Sequence, residues 1–425
     1  MRLMKPEVRI HFTEKSRFNG DMEKVMPMYG SASIADIPEI LENSLGFKKN
    51  FHGSLKAGKD FPECDHLIFV LLDGFGFHTL KWALENNHLK NTGKFLEESF
   101  LDIISSTFPS TTSTATISCH TGLTPGDHGI LGYIQYLASV GSVCNMISLS
   151  PLGKSGQSIL SGGLEIGKIL RRGTVHSVLT ENGISSYYYS PSSIINSELT
   201  KLTADSAIKR GYLSHSHLFT MIRSDIQKEK GRSLHFCYLS TVDTISHKVG
   251  PYTNETANEI ESIFRFIRDL SDICHLKRNS GIVISADHGH TVVPPCGLID
   301  LALDEKIRNN MISPVVGDVR SPFVHLRHGF LESVMVEISE LHRNVESMEM
   351  NNATLKGLFG NRELKPLNFG SGEDLVLFPA HGTGVTDSTL AMLDPDYSVK
   401  EMIGMHGGLS MEEMEIPLIN YFGNR

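Results

Sequence analysis

Three times in this chain a short apolar, β-branched run stops abruptly at a carboxylate. The runs are His66-Leu-Ile-Phe-Val-Leu-Leu-Asp73-Gly74, Ser233-Leu-His-Phe-Cys-Tyr-Leu-Ser-Thr-Val-Asp243 and Gly281-Ile-Val-Ile-Ser-Ala-Asp287-His288-Gly289. Apolar runs without polar alternation form strands buried on both faces, as in a parallel sheet covered by helices. Between them, Leu80 to Phe95 and Asn254 to Ile273 carry apolar residues at three- and four-residue intervals, the spacing of one helix face. Strand and helix alternating in this order predict an α/β fold, with a doubly wound, mostly parallel central sheet and helices on both faces. Such sheets bind ligands just beyond the carboxyl ends of their strands. Asp73, Asp243 and Asp287 all stand there, so one pattern locates a site as well as a fold.

The 425 residues exceed one average domain, and 40% hydrophobic against 20% charged content supplies a large core. Residues 61–300 and 371–425 read as the catalytic core that carries the carboxylates. Residues 1–60 read as an N-terminal segment packed on that core through the amphipathic stretch Ile34 to Leu45. Residues 301–370 lack the run-and-stop pattern and read as an insertion or cap. A net charge of −9 argues against an extended nucleic-acid interface. Small anionic ligands stay compatible with it where metal ions reverse the local field. The cysteines at 64, 119, 144, 237, 274 and 296 form no CxxC pair, which speaks against a thiolate zinc site or a disulfide scaffold. Isolated cysteines suit a reducing compartment. Met1-Arg2-Leu3-Met4-Lys5-Pro6-Glu7 lacks the apolar stretch of a signal peptide, and the longest apolar run, Leu67 to Leu72, is too short to span a bilayer. The expectation is a cytoplasmic protein without membrane contact.

Asp243 and His247 stand four apart, on one face of a helical turn, where both can reach one metal ion. An aspartate near a helix start is also an ordinary cap, and this histidine content gives such a pair by chance roughly one time in twenty. Asp287-His288-Gly289-His290 comes straight off an apolar strand, and Asp73-Gly74-Phe75-Gly76 repeats that arrangement. A turn that needs Asp and Gly for conformational reasons would look the same. Near the C-terminus, His406 sits in Gly404-Met-His406-Gly-Gly, among glycines that permit close backbone approach; His381 in Ala380-His381-Gly-Thr-Gly384 competes with it. In the hydroxyl-rich run Ser106 to Ser118, Pro109 predicts a helix beginning near Ser110 to Thr112. A hydroxyl there would meet the N–H groups that favour an anion, although Ser and Thr are also common N-caps.

Taken in order, Asp73, a hydroxyl at Thr112, Asp243-xxx-His247, Asp287-His288 and His406 resemble the alkaline phosphatase superfamily, and within it the type I phosphodiesterase/nucleotide pyrophosphatase group. Thr121-Gly-Leu-Thr-Pro-Gly-Asp-His128-Gly129 and the closing Gly407-Gly-Leu-Ser-Met-Glu-Glu-Met add to the likeness, which spans about 65–300 and 371–425. The resemblance implies two divalent metal ions, zinc ahead of manganese or iron. Asp243, His247 and His406 would hold one ion; Asp73, Asp287, His288 and the nucleophile would hold the other. It implies Thr112 as that nucleophile, nine residues before the Thr121 that ends its helix, with Thr107 of Thr107-Phe-Pro and the neighbouring Thr111 as alternatives. Attack by threonine would give a phosphothreonine intermediate that water then hydrolyses. Two cations about 4 Å apart can stabilise the attacking and leaving oxygens of such a displacement.

The implied substrate is a small phosphorylated or nucleotide molecule, cleaved at a phosphodiester or phosphoanhydride bond. Asn145 is a candidate donor to a non-bridging phosphate oxygen, with a structural amide as the plain alternative. No motif marks an arginine that would grip a phosphate monoester, though Arg320 or Arg327 could bring one from the 301–370 region. The Cys/Ser-x-Pro-x-Arg string of sulfatases is missing. Two other readings share these residues: a phosphomonoesterase or phosphoglycerate-mutase-like phosphotransferase, and a non-catalytic phosphate- or nucleotide-binding protein.

Overall fold

The computed structural model describes residues 15–17, 23–47, 62–154, 156–160, 173–276, 279–360, 373–395 and 397–422. The stretch Met1–Glu7 and the parts of the expected segments at 8–14, 18–22, 48–61 and 361–372 lie outside the described residues.

Strands form at His66–Leu72, Ser233–Leu239 and Ser280–Ser285, each buried along its whole length. They are immediate neighbours. The central sheet runs Phe100–Ser105, Glu415–Phe422, Ser280–Ser285, His66–Leu72, Ser233–Leu239, Ser185–Pro191, Ile208–Tyr212, and only Glu415–Phe422 opposes the strands beside it. Leu72 pairs with Leu239 and Leu71 with Ser285, so the three strands end level and release Asp73, Asp243 and Asp287 at one edge. Helices flank the sheet. Asn254–Leu276 buries Ala257, Ile260, Ile263, Phe264, Ile267 and Leu270 in the sheet's core, the helical spacing expected of it. Leu80 to Phe95, expected as one helical stretch, is two helices, Phe77–Glu85 and Lys90–Glu97. The chain turns between them at Asn87, whose φ of 58° is a left-handed conformation that asparagine tolerates better than most residues. Ile34, Ile37, Ile40, Leu41 and Leu45 of the N-terminal segment join the same core.

A second, antiparallel sheet stands beside the site. Its order is Val345–Glu349, Asp374–Pro379, Ser321–His325, Val316–Asp318, Ile134–Leu137, Ser142–Asn145, Ser150–Pro151, so residues 301–370 supply three strands, 374–379 one, and 134–151 the other three. Two devices fasten this sheet to the chain around the site. Phe108 packs against Phe378 and Phe359, with ring centroids 5.7 and 5.6 Å away, which pins the loop just before Thr112. Arg320, 3% exposed, donates to Glu413 at 3.0 Å and to the carbonyls of Pro379, Ala380 and Thr383. A buried guanidinium is stable only when its donors are satisfied in this way. No helix of the described residues is long and apolar enough to cross a membrane.

Several histidines belong to the core. His120 Nδ1 lies 3.1 Å from His176 Nε2, whose Nδ1 meets Ser186 Oγ at 2.7 Å, and the His120 ring stacks on Phe236. His235 bridges Ser233 Oγ at 2.9 Å and the Tyr189 hydroxyl at 3.0 Å. Burial pushes His120 well below the ordinary imidazole range and takes His176 and His235 each down to about 3. These rings are neutral when folded and gain protons on unfolding below about pH 6.5, so stability is full above that pH and falls as the medium is acidified toward pH 3. His176 and His235 should each cost about 2 kcal/mol between pH 6.5 and pH 5. Urea midpoints at the two pH values measure this, and His235→Gln, which keeps a hydrogen-bonding amide, should flatten the difference. An unchanged slope in that variant would refute the assignment.

Candidate active site

The site is assembled at the level sheet edge from residues that the chain keeps far apart. Thr112 opens the helix Thr112–Thr121, with Thr111 as N-cap in extended conformation and Gly122 ending it at a φ of 70°. The loop before it is bound to the segment that carries His406: Ser110 N–H donates to Gly407 O at 3.2 Å, and Ser110 Oγ donates to Gly408 O at 2.8 Å. A φ of 119° at Gly407, with a Cβ there only 2.8 Å from the Cβ of Asp318, makes glycine necessary at this crossing. The Thr112 hydroxyl faces His288 Nε2 at 3.1 Å and Asp73 Oδ1 at 3.4 Å. Thr107 is turned away, its Oγ1 donating to Pro109 O at 2.8 Å, and Thr111 Oγ1 donates to Asp318 Oδ1 at 3.0 Å.

Each of two carboxylates is held by one oxygen and presents the other. Asp287 Oδ1 accepts the N–H groups of Gly74 and His288 at 3.0 and 2.9 Å, while its buried Oδ2 has no hydrogen-bond partner among the described residues. Tyr238 donates its hydroxyl to Asp73 Oδ2, leaving Oδ1 for Thr112 and His288. Burial, then the charges of Asp287 and Asp243, raise Asp73 well above the usual carboxylate range. Burial alone would do the same to Asp243, but His247 and His290 outweigh it and hold Asp243 well below that range. His247 is raised because Asp243 beside it overcomes the effect of burial, whereas burial and the neighbouring imidazoles push His406 well down.

The imidazoles show what is meant to sit here. His247, His288, His290 and His406 each place Nδ1 against a backbone carbonyl, of Gly404 at 2.7 Å, Gly289 at 3.1 Å, Gly74 at 3.3 Å and Ser110 at 3.2 Å. A carbonyl only accepts, so Nδ1 carries the proton and Nε2 of the neutral ring carries a lone pair. Those lone pairs converge on carboxylates. From Asp243 Oδ1, Nε2 lies 3.2 Å away in His247, 3.1 Å in His290 and 3.8 Å in His406; His288 Nε2 lies 3.5 Å from Asp73 Oδ1 and 3.6 Å from Asp287 Oδ2. Acceptors gathered against acceptors are reconciled by cations, and a carbonyl behind each ring is the usual support of a metal-binding histidine. Two groups have ligand atoms within 4.8 Å of one another, Asp73, Asp287 and His288 in one and Asp243, His288, His290 and His406 in the other. The donor set therefore fits bound metal.

The structure thus brings together Asp73, Thr112, Asp243, His247, Asp287, His288 and His406. Asn145 donates an amide N–H to Tyr133 Oη at 2.9 Å and accepts on Oδ1 from the N–H groups of Ile147 and Ser148. His381 is 73% exposed, near Glu412. Arg320 is committed to Glu413, and Arg327 is exposed. Three residues had no functional reading in the sequence. His290 stood in the quoted Asp-His-Gly-His string, which was its one signal; Tyr238 reads as an ordinary core aromatic; Asp318 lies on a three-residue strand with no pattern of its own.

A cavity of about 220 Å³ opens beside Thr112, walled by Tyr133, Ile147, Tyr397, Val399, Met402 and Met405 and edged by Asp318. Asp318 Oδ1 takes the Thr111 hydroxyl and Oδ2 the Tyr133 N–H at 3.2 Å, and burial raises this carboxyl to about 6.

Comparison with known proteins agrees with this geometry. The family model described as "Type I phosphodiesterase / nucleotide pyrophosphatase" matches residues 67–408. No curated protein matches the chain in sequence. Among solved structures, murine ectonucleotide pyrophosphatase/phosphodiesterase 5 superposes with a TM-score of 0.59 at 15% identity over 83% of this chain and 87% of that one. An inactive form of the same protein was solved with AMP. Phosphonoacetate hydrolase from Sinorhizobium meliloti 1021, in complex with phosphonoformate, also gives 0.59, at 18% identity over 84% of this chain and 90% of that one. Three level carboxylates, a threonine at a helix start and a family match across most of the length lead to one conclusion: the chain belongs to the type I phosphodiesterase/nucleotide pyrophosphatase family, hydrolases of phosphoester bonds within the alkaline phosphatase superfamily.

Proposed function

We propose that the protein is a metal-dependent phosphodiesterase that cleaves a small nucleotide-like diester through a phosphothreonine at Thr112. The observation that carries this reading is the Thr112 hydroxyl, at a helix N-terminus, facing Asp73 and His288 beside converging imidazole lone pairs. Asp243, His247 and His406 would hold one ion and Asp73, Asp287, His288 and Thr112 the other, with zinc favoured by the imidazole-rich donors. The pair would supply charge to ionise an alcohol and to stabilise the oxygens of an in-line displacement. Thr112 Oγ1 loses its proton to solvent and forms the new bond to phosphorus as the ester oxygen departs with the bonding electrons and takes a proton from solvent. Water then hydrolyses the phosphothreonine and returns the hydroxyl. The N–H groups of the first helical turn favour the anionic phosphate.

The cavity supports a diester over a monoester or an anhydride. Its tyrosines, valine and methionines suit an organic arm such as a nucleoside. Among the described residues that line it, none is lysine or arginine, and Asp318 would repel a second phosphate. The AMP complex of the murine relative is consistent with a nucleotide arm. We also propose a cytoplasmic location, supported by Cys119, Cys144 and Cys237 being buried free thiols.

The test compares a bis-aryl phosphodiester, an aryl ester of thymidine monophosphate and an aryl monophosphate on metal-loaded protein. Faster turnover of the monophosphate by a wide margin would refute the diesterase reading. In addition, Asp318→Asn should raise kcat/KM for a pyrophosphate-type substrate roughly tenfold relative to a neutral-armed diester, the scale of one charge near a partly buried phosphate. Equal effects on both substrates would show that Asp318 does not face the leaving arm.

A further inference from the structure

Beyond the two ligand triads, one imidazole is left without a task. His290 is fully buried, and its Nε2 has no hydrogen-bond partner among the described residues. Neither does Asp243 Oδ1, 3.1 Å from it, because the two are not in hydrogen-bonding geometry. The ring is edge-on to its neighbours, at centroid distances of 5.0 Å from His247 and 5.2 Å from His406, with interplanar angles of 86° and 90°. Three imidazoles thus fan around one carboxylate oxygen.

Resting on the two-cation reading, we propose that His290 is a third imidazole ligand of the ion held by Asp243, His247 and His406. The plain alternative makes His290 a positioning residue that donates Nε2–H to Asp243. That tautomer would leave the Nδ1 lone pair facing the Gly74 carbonyl at 3.3 Å, acceptor against acceptor. With the proton on Nδ1, the carbonyl is satisfied and the Nε2 lone pair points into the cluster. The local backbone is shaped for this ring. Gly74 has a φ of 72°, and a Cβ there would stand 2.5 Å from His290 Cε1 and 2.9 Å from Asp243 Cα, so the glycine after Asp73 is the space in which His290 reaches the site. Three imidazoles and one carboxylate make four protein donors, a set suited to zinc or iron rather than to magnesium or calcium.

Wild-type protein loaded with Co²⁺ provides the first test, since every imidazole bound through Nε2 keeps an exchangeable Nδ1–H that cobalt shifts far outside the normal proton spectrum. Four such resonances are expected, from His247, His288, His290 and His406; three would overturn the assignment. The second test is Co²⁺ affinity by chelator competition. His290→Gln should weaken one of two binding events by about tenfold or more, the least that removal of a supporting group at a metal site costs. Two events of unchanged affinity in this variant, while His247→Ala loses one, would refute His290 as a ligand. Failure of the wild type to bind cobalt at all would overturn the two-cation reading and this assignment with it.

Discussion

Thr112→Ala lowers kcat for a phosphodiester by at least about a thousandfold and leaves folding unchanged. The size follows from the role: a covalent nucleophile has no substitute in its step, and what survives its removal is catalysis by the remaining charge and binding groups. The side chain is half-buried at the first position of its helix, where alanine is well tolerated, so truncation should cost little stability. Thr107→Ala is the contrasting variant. Its hydroxyl is buried and bonded to Pro109 O, so its loss should reduce stability by about 1 kcal/mol and leave kcat within a few-fold of wild type. Rapid quench with a phosphorus-labelled diester adds a direct readout, with label trapped on the peptide that contains Thr112. Full activity in Thr112→Ala, or label on Thr107, would remove the assignment.

Chelation to metal-free protein abolishes turnover and lowers the melting temperature, and restoring zinc recovers both. Ligand linkage sets the scale: an ion present at a hundred times its dissociation constant stabilises the fold by about 2.7 kcal/mol per site. The loss has a definite pH dependence. In the metal-free protein, burial together with Asp287 and Asp243 raises Asp73 well above its unfolded value. A carboxyl raised in this way binds its proton more tightly when folded, so metal-free stability declines as pH climbs from the unfolded value near 4 through the folded one. Metal binding takes the place of that proton, and the stabilisation on adding zinc should grow from pH 5 to pH 8. Calorimetric scans with and without zinc at the two pH values measure it. An increment that shrinks with pH, or activity that survives verified metal removal, would contradict the model.

The legible part of the site lay in local patterns. Asp73 and Asp287 could be seen because each terminates an apolar run, and His247 because a four-residue interval on a helix is a distance as well as a count. His406 needed the glycines around it; Pro109 placed a helix start only to within Ser110 to Thr112, and Thr112 itself came from the family resemblance, nine residues before Thr121. The less legible part had no local signature. Tyr238 looks like any aromatic in a buried strand, yet its hydroxyl holds Asp73. Asp318 and the other short strands of the second sheet, several of two to five residues, are too brief for alternation to register. Arg320, a candidate phosphate ligand by charge, is instead a buried tie to Glu413, a partner 93 residues away. Asn145, a candidate phosphate donor by its chemistry, gives an amide N–H to Tyr133 and takes two backbone N–H groups on its oxygen.

By itself the sequence determined that strands end in carboxylates and that a hydroxyl opens a helix, because burial and capping are decided within a few residues. Only the tertiary structure decided that those three strands are neighbours in register, since their pairing spans separations of well over a hundred positions. It also decided the protonation pattern that gives the site its chemistry. Each of three imidazoles is oriented by a carbonyl from a remote segment, His247 by Gly404, His290 by Gly74 and His406 by Ser110. A tautomer is fixed by its hydrogen-bond partner, and these partners exist only after the chain has folded.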